Sequence, residues 1–130
     1  MSIAEDIGTY LTNQGEVEGG TGWTLQYEFM PDSPDAVILI TGTGGPAPSP
    51  WSGVDEYYPT FQIRGRGDTP ATTKNKLKSI YDALHKQINL TIDSTTYKYI
   101  VAMQSAPLFL GQDASRRHEY TQNYRAGING

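Results

Sequence analysis

Apolar positions along this chain alternate between two periods, and the switches outline its elements. Ile3, Ile7, Tyr10 and Leu11 recur at helical spacing. Ser2 stands in capping position, Glu5 completes a capping box three residues later, and Asp6 also lies in the first turn. Asn13-Gln14-Gly15 supplies the stop. After a polar, glycine-rich connection at 16–22, Leu25, Tyr27 and Phe29 alternate with Thr24, Gln26 and Glu28, the period of a half-buried strand. A turn with two prolines at 30–35 leads into the β-branched run 36–41, which predicts a central strand. Phe61 and Ile63 mark a strand over 60–66, ended by Gly67. Asp68 or Thr69 caps a second helix with Pro70 in its first turn, and Leu77, Ile80, Tyr81 and Leu84 form its apolar stripe. Residues 88–92 and 96–104 read as a hairpin about 93–95, with Tyr97, Tyr99, Val101 and Met103 alternating along its second strand. Leu108-Phe109-Leu110, between Pro107 and Gly111, reads as loop. A last strand over 118–126 carries Tyr120 and Tyr124 on one side, and the tail at 127–130 is expected to be loose.

This order predicts one α+β domain over 1–130, with two helices on one face of a largely antiparallel sheet of about five or six strands. Residues 42–59 break every regular pattern. Their prolines (Pro46, Pro48, Pro50, Pro59) stiffen the segment toward extended conformations, so it reads as a projecting arm more than a floppy linker. Trp51, Val54, Tyr57 and Tyr58 on that arm are costly to leave in water and mark it as a contact surface.

Charge adds a second signal. No lysine or arginine precedes Arg64, and residues 1–60 carry nine carboxylates, a formal −9. Residues 61–130 carry ten cations and five carboxylates, a formal +5, which leaves the whole chain at −4. Such halves either present faces of opposite sign, which favours association between copies, or interleave so that the field cancels. Charged content of 18% is low, and nine tyrosines help make up the difference with amphipathic surface. The absence of cysteine removes disulfides, thiolate metal sites and a cysteine nucleophile. The first residues have no basic segment or long apolar core, so no signal peptide is expected. The apolar run at 36–40 is far too short to span a bilayer. The reading is of a protein soluble and intracellular at synthesis, without membrane contact, and acidic enough to argue against general nucleic-acid binding.

Candidate chemistry is sparse. Gly42-Thr43-Gly44-Gly45 follows a strand but opens no helix, so the anion site of a phosphate loop is missing. Arg66-Gly67-Asp68 is explained by strand end and helix cap, and Asn89-Leu90-Thr91 has no secretory route that would use it. His85 and His118 have no clustered acidic partner in sequence. No cofactor, metal site or catalytic residue is expected, and the chain does not read as an enzyme. The Arg64/Arg66 pair shares a strand face opposite Phe61 and Ile63. It either grips carboxylates of a neighbour bidentately or forms a solvated face.

Phe29-Met-Pro-Asp-Ser-Pro-Asp35, the hydrophobic strand after it, Thr43-Gly-Gly-Pro-Ala-Pro48, Tyr58-Pro-Thr-Phe-Gln-Ile-Arg64 and Tyr81-Asp-Ala-Leu-His85 together resemble the small minor capsid proteins of long-tailed bacteriophages. Those in turn are similar in element order to phage tail terminators. The resemblance spans nearly the whole chain. It implies a virion structural protein of the tail or neck, assembled in the host cytoplasm. Its copies would form a homo-oligomeric ring, typically hexameric, on the completed tail tube. Implied partners are the major tail tube protein and a neck or head-completion protein, with DNA passing through the bore without specific binding. The expected subunit or partner interface comprises Trp51, Val54, Tyr57, Tyr58, Arg64, Arg66, Asp32 and Asp35. Alternatives are another neck, tail-completion or tube subunit, or a monomeric ligand-binding module with the 42–58 loop as a lid.

Overall fold

A computed structural model describes residues 3–46 and 56–129. In chain order it contains α1 (Ile3–Asn13), β1 (Thr24–Tyr27), β2 (Val37–Gly44), β3 (Glu56–Tyr57), β4 (Thr60–Gly67), α2 (Pro70–Leu84), β5 (Gln87–Ile92), β6 (Thr95–Ala102), β7 (Leu108–Gln112) and β8 (His118–Asn129). Strand order is β1-β2-β4-β8-β6-β5, with β3 and β7 also paired to β8. β1 runs parallel to β2 and every other pairing is antiparallel, so the sheet is mixed.

β8 is the spine. Along one edge it pairs with β4 from Gly67↔His118 to Thr60↔Arg125, and then with β3 at Tyr57↔Ile128 in the same register. β3 and β4 therefore act as one strand interrupted at Tyr58-Pro59. Along the other edge β6 and then β7 pair with successive stretches of β8.

Both helices lie on one face, as the apolar stripes predict. Ile7 and Leu11 of α1 and Leu77, Ile80 and Leu84 of α2 join Ile38, Ile40, Phe61, Ile63, Ile100 and Tyr124 in one buried cluster. The Phe61 and Tyr124 rings stack there at 5.1 Å, 10° from parallel. Gly65 admits α2 to the sheet, since a methyl on it would already stand 3.3 Å from Leu77 and Thr73. Thr69 is the cap of α2: its hydroxyl accepts the Thr72 N–H at 3.1 Å, with Pro70 in the first turn. The candidate Ser2 cap lies outside the described residues.

Four elements depart from the pattern. β1 stops at Tyr27 because Glu28 takes a positive φ of 65°, which leaves Phe29 71% exposed. In β6 a bulge between Tyr97 and Tyr99 turns the side chains over, so Tyr97 and Ile100 face the core while Tyr99 and Val101 are half-buried. Met103 lies beyond that strand, exposed. Leu108–Gln112 is a strand, made by its pairing with β8 rather than by any alternation of its own. The chain's end is held as well: β8 runs on through Asn129, with Ile128 between Tyr57 and Tyr97.

Candidate assembly interface

The connection from β1 to β2 determines what the two arginines of β4 do. Parallel neighbours usually need a crossover of a dozen or more residues, commonly a helix. Here residues 28–36 make the crossing without regular structure, so their carbonyls need donors from elsewhere. Arg66 supplies them. It is 2% exposed, on the sheet face opposite the helices, and its guanidinium donates to the carbonyls of Pro31, Pro34 (2.5 Å) and Asp35 (3.2 Å). Arg117 reaches the same loop, donating to the Asp32 carbonyl at 2.5 Å and the Asp35 carboxylate at 3.1 Å. Its Nε also binds Asp113 at 2.7 Å. Burial, and then the charge of Arg117, holds the pKa of Arg66 below its ordinary value.

Arg66 thus spends its donors inside its own chain. Arg64 does so in part: Nη2 and Nε hold Glu119 at 2.6 and 2.7 Å, yet 36% of its side chain stays accessible. Asp32 and Asp35 are exposed on the pinned loop. Arg66, Asp32 and Asp35 therefore come together, with the arginine organising the loop that displays the acids. Sequence reasoning missed Arg117, which does as much for that loop. The carboxylate it shares in Asp113 stands four residues earlier, too common a spacing to single it out.

The projecting segment has a rigid root. Gly44 pairs with Thr60, the hydroxyls of Thr43 and Thr60 lie 2.6 Å apart, and the Pro59 carbonyl accepts the Ala126 N–H at 2.9 Å. Gly45, at φ 103°, backs onto the Tyr58 carbonyl. Tyr57 is exposed and Tyr58 half-buried. Trp51 and Val54 lie outside the described residues.

Between this root, α1 and the β5–β6 hairpin opens a cavity of about 330 Å³. Asp6, Tyr57, Tyr58, Thr95, Tyr97 and Ile128 are among its walls. At the far end of β8, β7 presents Leu108, Phe109 and Leu110, each about half exposed, with Phe109 tilted on Tyr120 at 5.1 Å. Three exposed apolar side chains in one short strand make a candidate contact site. Nothing in the alternation of 108–110 signals it, because a glycine and a proline flank the run.

The charge halves interleave in part. Glu16 meets Lys76 at 3.4 Å and accepts from the Ser79 hydroxyl at 2.7 Å, and Asp35 meets Arg117. His85 Nδ1 accepts the Ala102 N–H at 3.0 Å and its ring stacks on Tyr81, while His118 Nε2 pairs with Gln112 at 3.2 Å. Among the described residues no group of three or more His, Asp or Glu side chains is placed to hold a metal, and no helix is long and apolar enough to cross a membrane.

Comparison with known proteins bears on the family and the fold. The family described as bacteriophage tail terminator protein matches residues 10–129. A chain from the virion of a native gene transfer agent particle has the same fold, with a TM-score of 0.69 at 17% identity, over 99% of this chain and 96% of that one. No curated protein matches the sequence. With α2, all eight strands and the end of α1 inside the matched span, the chain belongs to the bacteriophage tail terminator family and is a structural protein of the phage virion.

Proposed function

We propose that this protein is the subunit of a ring that caps the completed tail tube, stops its polymerisation and offers the surface on which the head's neck proteins dock. Head-to-tail contacts close into a ring when each subunit carries two unlike, complementary patches. The observation that carries the reading is the presence of two such patches at opposite ends of β8. One end holds the arm root with Tyr57 and Tyr58, and the other holds the apolar strip Leu108, Phe109 and Leu110. Aromatic anchors of this type dominate interface energetics. Arg64, with accessible surface beside Glu119, and the exposed Asp32 and Asp35 flank the β7 end and supply polar contacts at its rim. Trp51 and Val54 on the arm are assigned to the same contact. A hexameric ring is the stoichiometry proposed, with DNA traversing a bore that does not hold it, since a cationic lining would bind phosphates.

The test is native mass spectrometry of the purified protein, alone and with tail tubes. Wild type is expected to form a closed ring, and Phe109→Asp with Leu110→Ser to remain monomeric while keeping its circular dichroism spectrum. A double variant that still closes the ring removes β7 from the interface. A second reading, a monomeric module with the 42–58 loop as a lid, is favoured by the cavity at the loop's root. It requires that wild type stay monomeric at every concentration and on tubes.

A further inference from the structure

The carboxylate of Asp6 is half satisfied. The residue sits in the first turn of α1, 2% exposed, and its Oδ2 accepts the Tyr97 hydroxyl at 2.5 Å. Its Oδ1 is buried and has no donor among the described residues. Leaving a buried acceptor without a donor is costly, and more so when it is ionised. Asp6 lines the cavity of about 330 Å³ whose other walls include Ile3, Tyr57, Tyr58, Pro59 and Ile128. Apolar and aromatic walls above a buried acidic floor suit one ligand shape: an aliphatic stem ending in a cation, whose stem packs on the rings while its N–H groups complete Asp6.

We propose that this cavity is a socket for a lysine or arginine side chain, and that the side chain comes from a second copy of this chain. None of the described residues lining the socket is basic, and no Lys or Arg occurs before residue 64. The donor therefore comes from elsewhere. The charge division that leaves the socket without a cation leaves exposed Lys74, Lys86 and Arg116 on the later half, whose side chains form no ion pair among the described residues. The socket opens beside the arm root, so an inserted side chain lies against the proposed subunit contact. Only the identity of the occupant rests on the self-assembly proposed above.

The experiment titrates the full chain, diluted until it sediments as a monomer, with n-butylammonium chloride. Backbone amide resonances are followed by NMR. Butylammonium is expected to shift Asp6, Thr95 and Tyr97 saturably, and n-butanol or the Asp6→Asn variant to respond at least about tenfold more weakly. Equal responses to butylammonium and butanol overturn the socket. Because Asp6→Asn risks the fold, Thr95→Lys provides a second arm: an ammonium tethered at the wall should abolish the butylammonium response while thermal unfolding stays cooperative. A persisting response again overturns the socket.

The source is read by sedimentation of Lys74→Glu/Lys86→Glu/Arg116→Glu, which should bind butylammonium as wild type does yet self-associate at least about tenfold more weakly. Unchanged association in that variant overturns the second copy as occupant. A wild type that binds butylammonium but never self-associates overturns the occupant and the ring together, leaving a site for a free amine or another protein's side chain.

Discussion

Arg66 and Arg117 share one loop: the first donates to the carbonyls of Pro31, Pro34 and Asp35, the second to the carbonyl of Asp32 and the carboxylate of Asp35. One comes from the middle of the sheet and the other from the turn just before its longest strand. Between them they supply the donors that a short, irregular crossover cannot find within itself. Arg66→Ala should therefore lower stability by about 3 kcal/mol or more, since several charge-assisted bonds are lost and their buried acceptors stranded. Arg66→Lys should recover less than half of that, because an ammonium has no planar fork. Urea unfolding measures both, and amide exchange at 31–36 should rise before global unfolding in the lysine variant.

Gly45 gives a cleaner geometric prediction. A methyl there would stand 2.1 Å from the Tyr58 carbonyl oxygen, on a backbone with φ of 103°. Gly45→Ala should cost about 1–3 kcal/mol and pry the arm root open. Loss of ring formation with the sheet's circular dichroism intact is the expected signature. An unaffected ring would detach the root from assembly.

Two buried tyrosines should behave in opposite ways. The Tyr124 hydroxyl has no acceptor among the described residues, and burial, then Tyr81 and Asp82, push its pKa up. Tyr124→Phe should leave stability unchanged or raise it by up to about 1 kcal/mol. The Tyr97 hydroxyl binds Asp6, and Tyr97→Phe strands the carboxylate, costing about 2 kcal/mol. Folding favours the neutral form of both rings, so their contribution is complete below the ordinary tyrosine value of 10.0 and disappears as pH climbs through the raised ones. Chemical denaturation across alkaline pH should show that decline, reduced in Tyr124→Phe.

Acid acts at the turn before β8. The Arg117 backbone N–H above all, with its guanidinium and the Ser115 N–H, holds the Asp113 carboxyl below its ordinary 3.8 against the opposing effect of burial. The contribution is present above that ordinary value and is lost as pH falls through the depressed one. Exchange of the Ser115 and Arg117 amides should accelerate below about pH 4, and Asp113→Asn should abolish that pH dependence.

What could be read in advance follows physical range. The α2 stripe, its Thr69 cap and the burial of Phe61 and Ile63 depend on neighbours within one turn or one strand, and they stand in the sequence plainly. The bulge at Tyr97/Tyr99 depends on how β8 meets β6, so strict alternation misassigned Tyr99 and Val101. β7 escaped notice because Leu108, Phe109 and Leu110 are all accessible, and only pairing with β8 makes them a strand. Arg66 lies on the face opposite Phe61, as strand alternation predicts. Its burial depends on carbonyls more than thirty residues away, which no spacing rule reaches. The cavity at Asp6 was equally out of reach, since it joins the two ends of the chain.

The shared register of β3 and β4 against β8 has a mechanical corollary. Hydrogen bonds of an antiparallel ladder lie across the strands, so tension applied to the arm along the strand direction loads every rung from Tyr57 to Gly67 in shear at once. A sideways pull instead peels the ladder open from the short Glu56–Tyr57 end, one rung at a time. The molecule is therefore stiff along one axis and compliant along another, and a neighbour gripping the arm lengthwise would be gripping the stiff one.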